Sequence, residues 1–102
     1  MKITRHALRT ASLAQAVHIA LPEQGSVEIQ RDAPGKVHAW HEHPVDETIV
    51  MLEGRLRFMH GETETVCLPG DAIFLPARTR HGSVALQEGA VYLIALRFVE
   101  FS

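Results

Sequence analysis

The sequence holds one cysteine, one tryptophan and one tyrosine among its 102 residues. A single cysteine excludes an internal disulfide framework and a cysteine-based zinc knuckle, so a metal site would have to use histidine and carboxylate. No stretch approaches the ~18 uninterrupted apolar residues of a membrane span. Ten basic residues stand against 12 acidic ones, a net charge of -2. That balance provides no basic field to hold a nucleic acid backbone and no polybasic patch for a membrane surface. Lys2, Arg5 and Arg9 ahead of Ala14-Gln15-Ala16 mimic a signal peptide, but Arg9, Thr10, Ser12 and Gln15 interrupt the apolar core such a signal needs. The expected compartment is the cytoplasm, with which the unpaired Cys67 agrees. The length corresponds to one ordinary domain, residues 1–102, with enough chain to bury a core.

Punctuation, by contrast, is plentiful. Pro22-Glu23-Gln24-Gly25, Ala33-Pro34-Gly35, Glu53-Gly54, His60-Gly61, Pro69-Gly70-Asp71, Pro76, Gly82 and Glu88-Gly89 break the chain every few residues. Between the breaks, Val27–Arg31, Thr48–Leu52, Leu56–His60, Thr65–Leu68, Ala72–Leu75 and Val91–Val99 read as strands. Many short strands at close spacing predict an all-β barrel or sandwich. The first twenty residues are ambiguous. Thr10 to Ala20 has helix-tolerant composition, whereas Ile19 to Leu21 could equally begin a strand.

Histidine is the other abundance, with seven in the chain. The densest chemistry is Trp40-His41-Glu42-His43-Pro44-Val45-Asp46-Glu47. In a strand, residues two apart share a face, so His41 and His43 project together. Glu47 follows across the bend at Pro44. Two imidazoles and a carboxylate that converge suit an octahedral or tetrahedral metal ion; the bland alternative is three polar surface residues near a turn. His38 has the wrong parity for this face and is expected to point outward. His6, His18 and His60 have no sequence partners and read as surface or packing residues.

The framing adds specificity. Gly35 through Gly54 spells G-x5-H-x-H-x3-E-x6-G, and Gly70 through His81 spells G-x5-P-x4-H. This pair of segments resembles the two motifs of the cupin family, the first at about residues 35–54 and the second at about 70–85. The resemblance covers roughly residues 20 to 100. It implies a cupin jelly-roll β-barrel with a metal in its mouth, and the family's ligands carry over to His41, His43, Glu47 and His81. Three histidines and one carboxylate leave about two open positions on a six-coordinate ion, and Fe, Mn, Ni, Co and Zn all tolerate such ligands. Two departures stand out. The second motif usually has Gly where this chain has Arg78, which cannot copy glycine's backbone freedom without cost. It also usually ends in Asn where this chain has Ala85, which makes the pocket more apolar.

Other pocket candidates follow from parity. Ile49 and Met51 share parity with Glu47, and Ser83 and Ala85 share parity with His81. Phe74, Phe58 and Tyr92 are candidate walls. Tyr92, if it faces the metal, is a candidate acid or substrate-orienting group. Arg31 shares parity with Val27 and Ile29 and is a candidate for entering the barrel to grip a carboxylate; the alternative is a solvated strand-end side chain. Cys67 reads as a small buried hydrophobe. An outward Trp40 needs a cover. The resemblance implies a homodimer, with residues 1–20 as an N-terminal extension and Val17–Leu21 as its candidate interface strand.

Two function classes remain open at this level. One is a metal-dependent enzyme on a small organic molecule: a dioxygenase, isomerase or lyase working in an apolar pocket with few polar groups. The other is a non-enzymatic module that binds or senses a small ligand.

Overall fold

The computed structural model describes residues 1–101, so Ser102, the last residue of the expected 1–102 domain, lies outside the described residues. The strands are β1 (Lys2–Thr4), β2 (Glu28–Asp32), β3 (Val37–His41), β4 (Glu47–His60), β5 (Thr63–Cys67), β6 (Ala72–Leu75) and β7 (His81–Ala95), with one helix, α1 (Leu13–Ala20). The seven strands form one antiparallel sheet in the order β1-β6-β4-β7-β2, with β3 also paired to β7 and β5 to β4. The fold is all-β, the cupin jelly-roll.

Two long strands organise it. β4 has 14 residues and β7 has 15, and they pair with each other from Thr48↔Ala95 to Met59↔Gly82. The start of β4 pairs with β6 and its end with β5, while the start of β7 pairs with β3 and its end with β2. The expected separate strands Thr48–Leu52 and Leu56–His60 are therefore halves of one strand. Gly54, at φ 74°, bends the chain without ending it, and the register shifts between Met51 and Glu53 and again between Gly54 and Leu56. A β-carbon at Gly54 would stand 2.0 Å from the Gly89 carbonyl oxygen, so the motif glycine is required here by a backbone approach as well as by φ.

The bend also reverses parity. Glu47, Ile49 and Met51 face the barrel interior before it, and Leu56 and Phe58 face it afterwards, joining Cys67, Ile73, Leu75, Ala85, Ala90 and Tyr92 in one core. The opposite face of the long strands, with Val50, Leu52, Leu93 and Ala95, packs beneath Leu8, Ala16, Ala20 and Val99.

That second core decides the N-terminal segment. Ser12 caps α1, its hydroxyl accepting from the Gln15 N–H at 3.1 Å, and Leu21 before Pro22 takes extended geometry and stops the helix. Arg97 donates from Nη2 to the Ala20 carbonyl at 2.5 Å, a cation at the helix C-terminus. Val17–Ala20 is thus helical and packed on the chain's own sheet, not the interface strand expected from its apolar run. The segment ahead of α1 is held by buried Asp71, which accepts from Arg5 Nη1 at 2.6 Å, His6 N–H at 3.1 Å and Leu68 N–H at 2.9 Å. β1 then adds to the edge of β6.

Candidate metal centre and cavity

β3 ends at His41, directly opposite His81 at the start of β7. The cross-strand pair sets the two imidazoles 4.3 Å apart between ring centres, and His43, in the loop beyond β3, stands 4.9 Å from His41 and 5.6 Å from His81. One ligand nitrogen from each of the three lies within 4.8 Å of the others. Glu47 opens β4 and brings its carboxylate oxygens to 3.6 Å from His43 Nε2 and 3.9 Å from His81 Nε2. The four residues that the resemblance singled out are therefore brought together, two through the β3–β7 register and two through the loop that Pro44 turns.

The surroundings prepare these side chains for a cation. His41 Nδ1 lies 2.6 Å from the Ala39 carbonyl and His81 Nδ1 lies 2.8 Å from the Thr79 carbonyl. A carbonyl accepts only, so in each ring Nδ1 carries the proton and Nε2 offers its lone pair, the tautomer a metal ligand needs. Burial holds His81 below the usual histidine range, against the Thr79 bond that favours its charge, so the ring stays neutral. Burial pushes the Glu47 carboxyl up, and His43 and His41 only partly offset this. A buried carboxylate beside three imidazoles gains from a bound cation, and the donor set fits a divalent transition metal. Phe58 stacks on His81 at 5.4 Å and 12° and fixes the ring plane.

The loops are braced against each other. The Arg78 N–H donates to the His43 carbonyl at 2.7 Å and the Ala77 N–H to Asp46 Oδ1 at 2.8 Å. Arg78 adopts φ 64°, the left-handed conformation its glycine counterpart would take freely. The departure from the motif therefore leaves the loop's course intact and is accommodated as local backbone strain.

The centre opens into a cavity of about 340 Å³. Ile49, Leu56, Phe58, Ile94 and Leu96 line it, as expected of a largely apolar pocket, but Glu28, Gln30, His38, Ser83 and Tyr92 add more polar groups than the few expected. No lysine or arginine is among these lining residues. Arg31 does not enter. It is exposed on the outer side of β2, opposite Val91, with Ile29 beside it 49% exposed. The apolar-inward reading of β2 fails because this strand supplies a polar part of the cavity wall, and Glu28, Gln30 and Asp32 are the ones that turn inward. Phe74 is also elsewhere, edge-on to Phe98 at 4.8 Å.

His38, expected to point outward, is a further correction. One extra residue in β3 between His38 and His41 makes a bulge, so residues three apart share the cavity face. Its Nε2 sits 3.0 and 3.1 Å from the two oxygens of Asp32, which also accepts from Gln30 Nε2 at 2.9 Å and the Tyr92 hydroxyl at 2.7 Å. Burial alone would raise the Asp32 carboxyl, but these hydrogen bonds outweigh it and hold the group below the usual range. Burial and the Asp32 charge push the Tyr92 phenol far above its ordinary value. Sequence reasoning missed Asp32, Gln30 and Glu28; the alternating polar residues of Glu28-Ile29-Gln30-Arg31-Asp32 were the available signal. Cys67 is buried in the core, its thiol pushed up by burial to about 11.

The cupin domain family Cupin_2 matches residues 28–97, and the chain belongs to it. No curated protein matches the sequence. Among solved structures, the protein TT1209 from Thermus thermophilus is 28% identical over 78% of this chain and 82% of that one, with a TM-score of 0.58. A chain of the DMSP lyases RdDddP and RnDddQII is 28% identical over 67% of this chain, TM-score 0.63, and this chain spans only 35% of its length. An oxalate decarboxylase chain is 27% identical over 74% of this chain and 22% of that one, TM-score 0.65. No helix among the described residues is long and apolar enough to cross a membrane.

Proposed function

We propose that this cupin holds a divalent transition metal through His41, His43, Glu47 and His81 and uses it to bind and transform a small organic molecule in the adjoining cavity. The observation that carries this reading is the convergence of three histidine nitrogens within 4.8 Å, two of the rings tied by Nδ1 to backbone carbonyls. A bound metal would supply Lewis acidity at its open positions. The residues of the chain would do the rest: Phe58 and Ile49 exclude water on one side, and Gln30, Ser83 and His38 offer hydrogen bonds to a polar ligand. Similarity to a DMSP lyase chain and an oxalate decarboxylase chain favours a lyase over a dioxygenase or isomerase. A cytoplasmic location and a homodimer accompany the proposal, the latter supported by Val37 and Trp40, exposed large apolar side chains on β3.

Metal analysis of protein purified without chelator tests the centre. About one ion per chain is expected, and His81→Ala should lose it; unchanged metal content in that variant would remove the ligand set. Turnover of a panel of small carboxylic acids by the metal-loaded protein, with dioxygen consumption followed in parallel, then separates a lyase from a dioxygenase. Tight reversible binding with no product under any metal would replace the enzyme by a binding module. Light scattering at micromolar concentration reads the oligomeric state.

A further inference from the structure

The metal ligands leave one group of titratable side chains in the cavity wall unexplained. Asp32 is sealed, with none of its side chain exposed, while His38 is 30% exposed and lines the cavity. The carboxylate therefore meets the cavity only through its partners His38, Gln30 and Tyr92, and of these the imidazole is the one that can take up and return a proton. Both its oxygens face His38 Nε2, which fixes that nitrogen as an N–H, so the lone pair of the neutral ring belongs to Nδ1, which has no partner among the described residues. Gln30 and Tyr92 add two more donors, so the carboxylate cannot swing away. Tyr92 is spent in this role: its proton is engaged on Asp32, and ionising it would set a second negative charge against that carboxylate.

We propose that Asp32 and His38 form a carboxylate–imidazole dyad, with His38 Nδ1 the proton acceptor and donor for the molecule held in the cavity and Asp32 its positioning residue. The proposal rests on the metal-centre reading only in taking this cavity as the place where that molecule sits. His38 Nδ1 takes a proton from a C–H or O–H of the bound molecule, and the bonding pair stays on that molecule. The imidazolium keeps its Nε2–H on Asp32, whose charge balances it, and Nδ1 later returns the proton. The geometry thus calls for a substrate with an ionisable C–H or O–H close to the oxygen that reaches the metal. Without lysine or arginine in the lining, and with Glu28 at the wall, such a molecule carries no second anionic group beyond the one that reaches the metal.

Acylation by diethyl pyrocarbonate, mapped by peptide mass spectrometry on the zinc-loaded full chain, reads the dyad without a known substrate. The reagent attacks an unprotonated imidazole nitrogen that solvent can reach. His38 should be modified, and Asp32→Asn should slow it about tenfold relative to His6 and His18 in the same sample, because one amide oxygen cannot replace a carboxylate that orients and polarises the ring. Acetohydroxamate, a metal chelator small enough for the cavity, should protect His38 and leave His6 and His18 unprotected. This protection needs no variant, and a merely structural His38 with Nδ1 turned from the cavity would not show it. Unmodified His38, a rate unchanged in Asp32→Asn at equal zinc content, or no protection with zinc bound would each overturn the proposal. Failure of the metal reading shows separately, as absent zinc; the acylation ratio between wild type and Asp32→Asn then still decides the dyad.

Discussion

Replacing Arg78 by glycine should stabilise the protein. Arg78 holds φ 64° in the loop that precedes His81. For an L-residue the left-handed region costs roughly 1–2 kcal/mol, and glycine escapes this because it has no β-carbon. Against the gain, glycine adds roughly 0.5–1 kcal/mol of chain entropy to the unfolded state. The ion pair that would be lost, Arg78 to Glu42 at 3.8 Å, joins side chains 73% and 44% exposed and contributes nothing measurable. The bond from residue 78 to the His43 carbonyl is a backbone one and survives. The net is about 0.5–1 kcal/mol in favour of Arg78→Gly, or about 2–8 °C in Tm for a domain of this size. Thermal unfolding of the metal-free proteins, followed by circular dichroism, measures it. Arg78→Ala is the control, since alanine keeps the strain and should melt near the wild type. A glycine variant that melts at or below the wild type, or an alanine variant that melts as high as the glycine variant, would refute the strain argument.

Three further outcomes follow from the geometry. Gly54→Ala should cost more than ~3 kcal/mol, because its β-carbon meets the Gly89 carbonyl at 2.0 Å and its φ of 74° is strained as well; a urea titration with a near-wild-type midpoint would contradict it. Asp71 is raised by burial but lowered overall by the Leu68 and His6 N–H groups and Arg5, so its contribution is present above the ordinary carboxylate pKa and lost as pH falls through its depressed value. Asp71→Asn should therefore lie well below the wild type in urea midpoint at pH 7, with the gap narrowing below about pH 4; a pH-independent gap would count against this account. Cys67, buried with its thiol pushed up to about 11, should react with iodoacetamide at pH 7 only through unfolding, and rapid labelling of the folded protein would show the site to be open.

The chain by itself determined the class of fold, since strand punctuation is a local property, and through the resemblance of its two fixed-spacing motifs to those of the cupins it singled out the four residues of the candidate centre. It also located β6 to the residue, Ala72–Leu75, because glycine and proline bracket it. Three things were decided only by the tertiary structure. The N-terminal segment became a helix because the outer face of β4 and β7 needed Ala16 and Ala20 as a cover, a demand made by residues far along the chain. His38 turned inward because β3 carries a bulge, and a bulge is fixed by the partner strand β7, which the sequence of β3 does not reveal. β2 showed its polar face to the interior, reversing the placement expected of Arg31, because the interior at that end is an open cavity and not a packed core. Alternation tells which residues share a face. Which face is inside depends on what the opposing strands leave there, and that is a property of the closed barrel alone.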